Sequence, residues 1–214
     1  MLGRPKGLVA FDMDGTLLTG TPSWEMLHAH YFTLHVAQKA HRDYSEHRIT
    51  YEQFMRRDLG AWPRPLRRSE LLEVLSGFKL RPEAPAVVAD LRLMGYEPAI
   101  VTSALDLLAE MVSRKLGIKY FMANRVGFDA RGNFDGRVYP MVEPLKKHEA
   151  FLKLVERLGV GLDATAAVGD TEYDSTFLKS AGRGFVIGDE GLASRLGVTY
   201  IRDLRELLSY LDPL

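Results

Sequence analysis

Short apolar runs and longer amphipathic segments alternate along most of the chain, and this pattern predicts an α/β fold. Each apolar run is bounded by glycine or a polar turn, which is typical of a strand buried in a parallel sheet. The runs are GLVAF (7–11), EPAIVTS (97–103), TAAVGD (165–170), GFVIGD (184–189) and VTYI (198–201). Helical patterns of about 10–15 residues separate most of them, so we expect βαβ units and a parallel sheet flanked by helices.

Two segments depart from this alternation. Residues 17–80 have helical spacing and few runs that resemble strands, which indicates a helical insertion between a core of residues 1–16 and 81–214. Within it, we expect Ser23 to cap one helix over WEMLHAHYFTLHVAQKA, and Thr50 to cap a helix over YEQFMRRDL. The second segment, YFMANRVGFDARGNFDGRVYP (120–140), carries the turn sequence DARGN between aromatic and β-branched residues. This pattern predicts a β-hairpin.

Polar side chains follow three of the predicted strands and begin one helix. Ligands in open α/β sheets bind beyond the carboxyl ends of the strands, so these groups are expected to meet at one edge. The candidates are Asp12, Asp14, Thr102, Ser103, Lys146, Lys147, Asp170 and Asp174. Each residue taken alone has an ordinary structural explanation as a cap, a turn or a solvated side chain. Together, hard carboxylate oxygens, hydroxyls and a lysine predict a site for Mg²⁺ and a phosphate group.

The composition excludes several classes of function but does not identify one. Lys and Arg together number 28, as do Asp and Glu, so no net field attracts nucleic acid or an anionic membrane. The chain has no cysteine, which excludes disulfides, zinc thiolate sites and thiol nucleophiles. No apolar run approaches the roughly 20 residues of a membrane span, and MLGRPKG lacks the apolar segment of a secretory signal. We expect a cytoplasmic protein, and its oligomeric state stays open.

Four short strings resemble, in order and spacing, the motifs of the haloacid dehalogenase (HAD) superfamily. They are DMDGT (12–16), VTS (101–103), a lysine that begins a helix, and GDTEYD (169–174). The helical insertion after the first motif is similar to the small cap of the phosphoserine phosphatase-like branch. The resemblance implies a Rossmann-like core with this cap, and Mg²⁺-dependent hydrolysis of a small phosphorylated metabolite.

The resemblance also implies a role for each matching residue. Asp12 would be the nucleophile that forms an aspartyl-phosphate, and Asp14 the general acid and then the general base. Thr102 and the amide of Ser103 would bind phosphoryl oxygens, and Lys147 would neutralise charge there, with Lys146 as the alternative lysine. Mg²⁺ would be held by Asp12, the main-chain carbonyl of Asp14 and Asp170, with Asp174 acting directly or through a water.

Two cap positions differ from those that recognise phosphoserine in that branch. Thr21 stands where the branch has a glutamate that binds the amino group, and Asp58 where it has an arginine that binds the carboxylate. We therefore expect a substrate other than phosphoserine. The candidate substrate contacts are Trp24, Tyr51, Arg56 and Arg57, which could equally be exposed residues or residues that pack the cap.

Two other functions are compatible with the same motifs. A phosphotransferase or phosphomutase would use the same aspartyl-phosphate but pass the phosphoryl group to an acceptor other than water. A catalytically inactive HAD-like module would bind a phosphorylated ligand without turning it over. The presence of both motif aspartates, the threonine and the lysine favours an enzyme.

Overall fold

The predicted α/β architecture is confirmed by a central sheet with helices on both faces. The computed structural model describes residues 4–211, so residues 1–3, which begin the predicted core and the MLGRPKG segment, and residues 212–214 lie outside the described residues. Within that range, seven strands form one sheet in the order β6-β5-β4-β1-β7-β8-β9. The strands are β1 (Gly7–Phe11), β4 (Tyr96–Leu105), β5 (Tyr120–Phe128), β6 (Phe134–Tyr139), β7 (Thr165–Gly169), β8 (Arg183–Ile187) and β9 (Thr199–Ile201).

β1 lies at the centre of this sheet and is buried along its whole length. It pairs in parallel with β4 and β7, with Leu8 opposite both Glu97 and Thr165. Side chains of a strand alternate between the two faces, so Val9 and Phe11 enter one hydrophobic core while Leu8 and Ala10 enter the other. This double burial explains why the strand is a continuous apolar run.

β5 and β6 form the predicted hairpin at one edge of the sheet, where they pair antiparallel. The Asp129 carboxylate accepts hydrogen bonds from the amides of Arg131 and Asn133, which closes the DARGN turn. Gly132 has a φ of 79°, a left-handed conformation that glycine adopts without steric cost. The local turn chemistry therefore fixes the hairpin where the sequence predicts it.

The core helices cover the two faces of the sheet. They are α5 (Ala84–Leu93), α6 (Asp106–Leu116), α7 (Lys147–Leu158), α8 (Ser175–Ser180) and α9 (Glu190–Leu196). Buried side chains of α5 and α6 belong to the core that contains Val9 and Phe11, and those of α7, α8 and α9 belong to the other. Across residues 4–211, no helix is long and apolar enough to pass through a bilayer.

The insertion contains four helices, and one expectation about them is wrong. They are α1 (Ser23–His30), α2 (Leu34–Ser45), α3 (Tyr51–Gly60) and α4 (Arg68–Leu75). The first helix ends at His30 and a second begins at Leu34, because Phe32 takes a left-handed φ of 57° that interrupts the helical hydrogen bonds. Thr50 caps α3 as predicted, in a reciprocal arrangement with Gln53.

Two short strands that were not predicted join the insertion to the core. β2 (Leu18–Thr19) pairs antiparallel with β3 (Lys79–Leu80), and the amide of Arg81 donates to the carbonyl of Leu17 at 2.9 Å. The chain therefore leaves and re-enters the core at neighbouring points. The division into a core and a cap at residues 16 and 81 stays a prediction.

Candidate active site

Three carboxylates meet at the carboxyl edge of β1 and β7. Asp12 directly follows β1, Asp170 directly follows β7, and Asp174 lies one turn further on. One oxygen from each of them lies within 4.8 Å of the others. A cluster of hard oxygens in such a small space fits a divalent cation such as Mg²⁺, which would offset the mutual repulsion of the carboxylates.

The turn after β1 is built around Gly15. Its φ is 81°, and a Cβ at this position would lie 2.0 Å from Asp170 Oδ2, so another residue would displace that carboxylate. Arg81 donates to the carbonyls of Gly15 and Thr16, at 2.6 and 2.8 Å. The Thr16 hydroxyl donates to Asp170 Oδ1 at 3.0 Å. The first and last motifs are thus joined by side-chain contacts that hold Asp170 in place.

Lys147, rather than Lys146, is the lysine of this site. Its Nζ donates to Oδ1 of Asp12 and to Oδ1 of Asp174, each at 2.6 Å, and its side chain is only 5% exposed. Burial lowers the pKa of Lys147, but the two carboxylates more than compensate and the net pKa is raised. Lys146 is exposed and pairs with Glu143 at 2.9 Å. Of the two candidate lysines, the structure therefore places Lys147 and not Lys146 beside the carboxylates.

Two carboxylates of the cluster, those of Asp12 and Asp170, have raised pKa values. Burial raises the pKa of Asp12, and the charges of Asp174 and Asp170 raise it further while Lys147 opposes them. Burial and then the charge of Asp174 raise the pKa of Asp170 to about 6. Lys147 supplies one positive charge against three carboxylates, so the site has an excess of negative charge that a cation would relieve.

Asp14 points towards the cap, where Ser23 holds it. The Ser23 hydroxyl donates to Asp14 Oδ2, and the Ser23 amide donates to Oδ1 at 3.2 Å. Burial raises the pKa of Asp14, and the two bonds from Ser23 partly oppose that rise. The predicted role of Ser23 as a helix cap is wrong, because it is the first residue of α1 and its hydroxyl binds the carboxylate instead. A serine that begins a helix carries no local signal of such a distant partner.

Asp174 is already engaged by the protein. Its Oδ1 binds Lys147, while its Oδ2 accepts hydrogen bonds from the amides of Asp170 and Thr171, each at 3.1 Å. With both oxygens occupied, the geometry favours a role in positioning Lys147 and the loop over direct binding of a cation.

The end of β4 is held by a residue that the sequence analysis missed. Asn124, in β5, donates to the carbonyl of Ser103 at 2.7 Å and accepts from the amides of Met141 and Val142. It is fully buried, so this network fixes the backbone that presents Thr102 and Ser103. The Thr102 hydroxyl is also buried and accepts from the amide of Ala104 at 3.1 Å. A single asparagine in a strand has no sequence pattern that predicts this role.

A cavity of about 460 Å³ lies between the cap helices and this edge of the sheet. Ser103 and Tyr173, the chain neighbours of Thr102 and Asp174, border it on the core side. Its walls are largely aromatic. The aromatic side chains are those of Trp24, Tyr44, Tyr51, Phe54 and Tyr173.

The cavity separates the four candidate substrate contacts into two pairs. Trp24 and Tyr51 line it, as a substrate contact would, and Trp24 Nε1 donates to the Ser103 carbonyl at 3.3 Å. Arg56 and Arg57 do not line it. Arg56 pairs with Glu52 and Arg57 with Asp43, each at 2.7 Å and on an exposed face of the cap. The structure therefore places both arginines away from the cavity.

The arrangement agrees with comparisons to known proteins. The family model of the haloacid dehalogenase-like hydrolases matches residues 7–182. A phosphoserine phosphatase of Methanocaldococcus jannaschii is 26% identical over 97% of this chain and 99% of its own length. The phosphoserine phosphatase SerB2 of Mycobacterium tuberculosis is 29% identical over 85% of this chain, which spans 44% of that longer protein.

A solved structure supports the same relationship at the level of fold. A phosphoserine phosphatase, determined as a phospho-aspartyl intermediate analogue, superposes with a TM-score of 0.79 at 24% identity, over 97% of this chain and all of that one. Together these matches confirm the superfamily and the phosphoserine phosphatase-like branch that the four motifs predict.

Proposed function

The chain belongs to the haloacid dehalogenase-like hydrolases, and from that premise we propose that it is a Mg²⁺-dependent phosphatase of small phosphate monoesters. The reaction passes through a phosphorylated Asp12. The observation that carries this proposal is the buried contact of Lys147 with Asp12 and Asp174, next to a second motif aspartate whose pKa is raised. A purely structural cluster would not need a buried lysine shared by two carboxylates beside a carboxyl that tends to keep its proton.

In the first step an oxygen of Asp12 attacks phosphorus. A bond forms between that oxygen and phosphorus while the bond from phosphorus to the ester oxygen breaks. Asp14 donates its proton to the departing alkoxide, and burial favours this because it raises the pKa of Asp14 and so keeps the proton on it at higher pH. Lys147 and the Thr102 hydroxyl neutralise and orient the transferring group.

In the second step water replaces Asp12 on phosphorus. Asp14, now a carboxylate, takes a proton from the water, whose oxygen bonds to phosphorus as the bond to Asp12 breaks. Inorganic phosphate leaves, and both aspartates return to their starting state. The bonds from Ser23 support this half of the cycle, because they stabilise the ionised form of Asp14.

The metal would be held by the carboxylates of Asp12 and Asp170 and by the carbonyl of Asp14. When bound it supplies positive charge that reduces repulsion between the nucleophile and a dianionic phosphate. Asp174 remains outside this set in our proposal, since its two oxygens position Lys147 and the loop. The location of the protein in the cytoplasm stays a prediction.

The proposal is tested by release of phosphate from p-nitrophenyl phosphate, with Mg²⁺ present and after chelation. We expect turnover that needs the cation and is lost in Asp12→Asn. Glu52→Gln, which removes an exposed carboxylate from α3, is the matched control and should keep full activity. Substantial turnover by Asp12→Asn, or activity that survives chelation, would refute the mechanism. Adding an alcohol acceptor separates transfer from hydrolysis, because a transferase would release less phosphate than nitrophenol.

A further inference from the structure

The cavity beside the proposed reaction site has a composition that selects the organic part of the substrate. None of the described residues that line it is a lysine or an arginine. Two of them, Glu25 and Asp58, carry carboxylates. A substrate that carries its own carboxylate would find no lysine or arginine here, and the two histidines of the lining already face protein groups: His28 lies 3.3 Å from Asp58, and His41 lies 2.7 Å from the Tyr173 hydroxyl. The cavity volume, about 460 Å³, falls in the range of sites that bind whole ring systems, roughly 300–1,000 Å³.

The aromatic walls of the cavity suit a flat ring or a cation. Tyr44, Tyr51 and Phe54 pack on one another with ring centroids 5.5 to 5.7 Å apart. Trp24 contributes a further wall and packs on Trp62 with centroids 5.9 Å apart. Rings fixed in this way offer stacking surface without losing side-chain entropy when a ligand binds, and their faces attract cations.

Asp58 provides a specific partner for a hydrogen-bond donor. Its side chain is 3% exposed, and its Oδ2 lies 3.3 Å from His28 Nε2. Its Oδ1 has no hydrogen-bond partner within the described residues, although the residue lines the cavity. A buried carboxylate oxygen left without a donor costs free energy, so a ligand donor that enters far enough to reach this oxygen would gain more than it would at an exposed carboxylate.

We propose that the substrate is a phosphate monoester of an aromatic alcohol that carries an ammonium group and no carboxylate, with the ammonium bound by Asp58 and the ring by the aromatic walls. This inference rests on the proposed phosphatase function and adds the substrate class to it. Asp58 then determines specificity without taking part in bond breaking. Hydrolysis releases the free amino alcohol and inorganic phosphate, with water as the only co-reactant.

Four esters test the proposal on the wild-type enzyme with Mg²⁺. Tyramine phosphate has the ring and the ammonium group, 4-ethylphenyl phosphate lacks the ammonium, phosphotyrosine adds a carboxylate, and phosphoethanolamine lacks the ring. We expect kcat/KM for tyramine phosphate to exceed that for 4-ethylphenyl phosphate by about 10- to 100-fold, the usual size of a hydrogen bond to a charged group. Phosphotyrosine should be poorer by at least about 10-fold because its carboxylate enters a cavity bordered by Glu25 and Asp58, and phosphoethanolamine by a similar factor because it has no ring to pack on the aromatic walls.

A pair of variants assigns the preference to Asp58. In Asp58→Asn the ratio of kcat/KM for tyramine phosphate to that for 4-ethylphenyl phosphate should fall by about 10-fold or more. In Glu52→Gln, on the same helix but paired with Arg56 outside the cavity, the ratio should not change. The ratio is independent of the amount of folded enzyme, so a partly unfolded variant still gives an answer.

The possible failures are distinguishable. If the enzyme hydrolyses all four esters with similar kcat/KM, or prefers phosphotyrosine, the substrate class is overturned while the phosphatase function stands. If Asp58→Asn keeps the wild-type ratio, Asp58 does not bind the ammonium group and the proposal is likewise overturned. If none of the esters, p-nitrophenyl phosphate included, is hydrolysed with Mg²⁺, both proposals fail.

Discussion

Replacing Asp170 by asparagine should make the metal-free protein more stable while removing its response to Mg²⁺. The side chain lies in the cluster of three carboxylates, and burial together with the charge of Asp174 raises its pKa from 3.8 to about 6. A carboxyl with a raised pKa in the folded state binds protons more tightly there than in the unfolded chain. The free energy of unfolding therefore falls as pH rises between these two values, and above about pH 6 the ionised group carries the full penalty.

The size of that penalty follows from the two pKa values. The difference between 3.8 and about 6 corresponds to about 3 kcal/mol at 1.36 kcal/mol per unit. Because Asp170 is only partly buried, screening reduces this, and we expect Asp170→Asn to raise the free energy of unfolding by about 1–3 kcal/mol at neutral pH. For a chain of this length that is about 2–4 °C in Tm for each kcal/mol. Asparagine keeps an oxygen that can accept from Thr16.

Thermal unfolding of the wild type and of Asp170→Asn, with Mg²⁺ and with a chelator, measures both effects. In chelator, the Tm of the variant should exceed that of the wild type. The difference should vanish below about pH 4, where Asp170 of the wild type is protonated in both the folded and the unfolded chain. Mg²⁺ should raise the Tm of the wild type but leave that of the variant nearly unchanged. Asp90→Asn, an exposed site on α5, controls for the change in net charge. An unchanged or lower Tm of the variant in chelator would refute the electrostatic reasoning, and a normal response to Mg²⁺ would remove Asp170 from the proposed ligands.

Three further predictions concern the acid and the scaffold. Asp14→Asn should slow the first step, release of the alcohol in a single turnover, by about 10²–10⁴-fold for an alkyl phosphate but much less for p-nitrophenyl phosphate, because nitrophenolate leaves without a proton; equal losses in this step would exclude the acid role. Ser23→Ala should raise the pKa of Asp14, because the Ser23 hydroxyl stabilises the Asp14 carboxylate. The pH at which cleavage of alkyl esters begins to decline should then rise by up to about 1 unit, and a fall of this pH in the measured profile would contradict the reasoning. Asn124→Ala should lower the free energy of unfolding in urea by about 2–4 kcal/mol, because the amides of Met141 and Val142 lose their buried acceptor, and a loss below about 0.5 kcal/mol would mean that water replaces it.

The sheet and the chemistry at its edge were predictable because their signals are local. β1 has the predicted bounds, Gly7–Phe11, since a continuous apolar run between two glycine-containing turns has few alternative conformations. Asp12 and Asp170 follow their strands directly, so the topology of the sheet brings them together. Thr50 with Gln53 is likewise a capping pattern contained within four residues.

The rest depends on contacts that sequence patterns do not reveal. Nothing around Phe32 marks a left-handed residue, so the break between α1 and α2 was invisible. β2 and β3 contain two residues each, too few for any periodicity. Arginines on a cap helix can face a ligand or a neighbouring acid with the same sequence pattern, and Arg56 and Arg57 do the latter. Trp24 and Tyr51 line the cavity, and their role as substrate contacts stays a prediction.

The pairing of β2 with β3 brings the two ends of the helical insertion together, so the inserted helices can be exchanged as one segment. The amide of Arg81 lies one hydrogen bond from the carbonyl of Leu17, so excision of the residues between them would leave two ends that a short linker can join. We expect that grafting another segment at this junction would alter which molecules reach Asp12 while the sheet below folds unchanged. New selectivity could therefore arise in this scaffold by replacement of one contiguous segment.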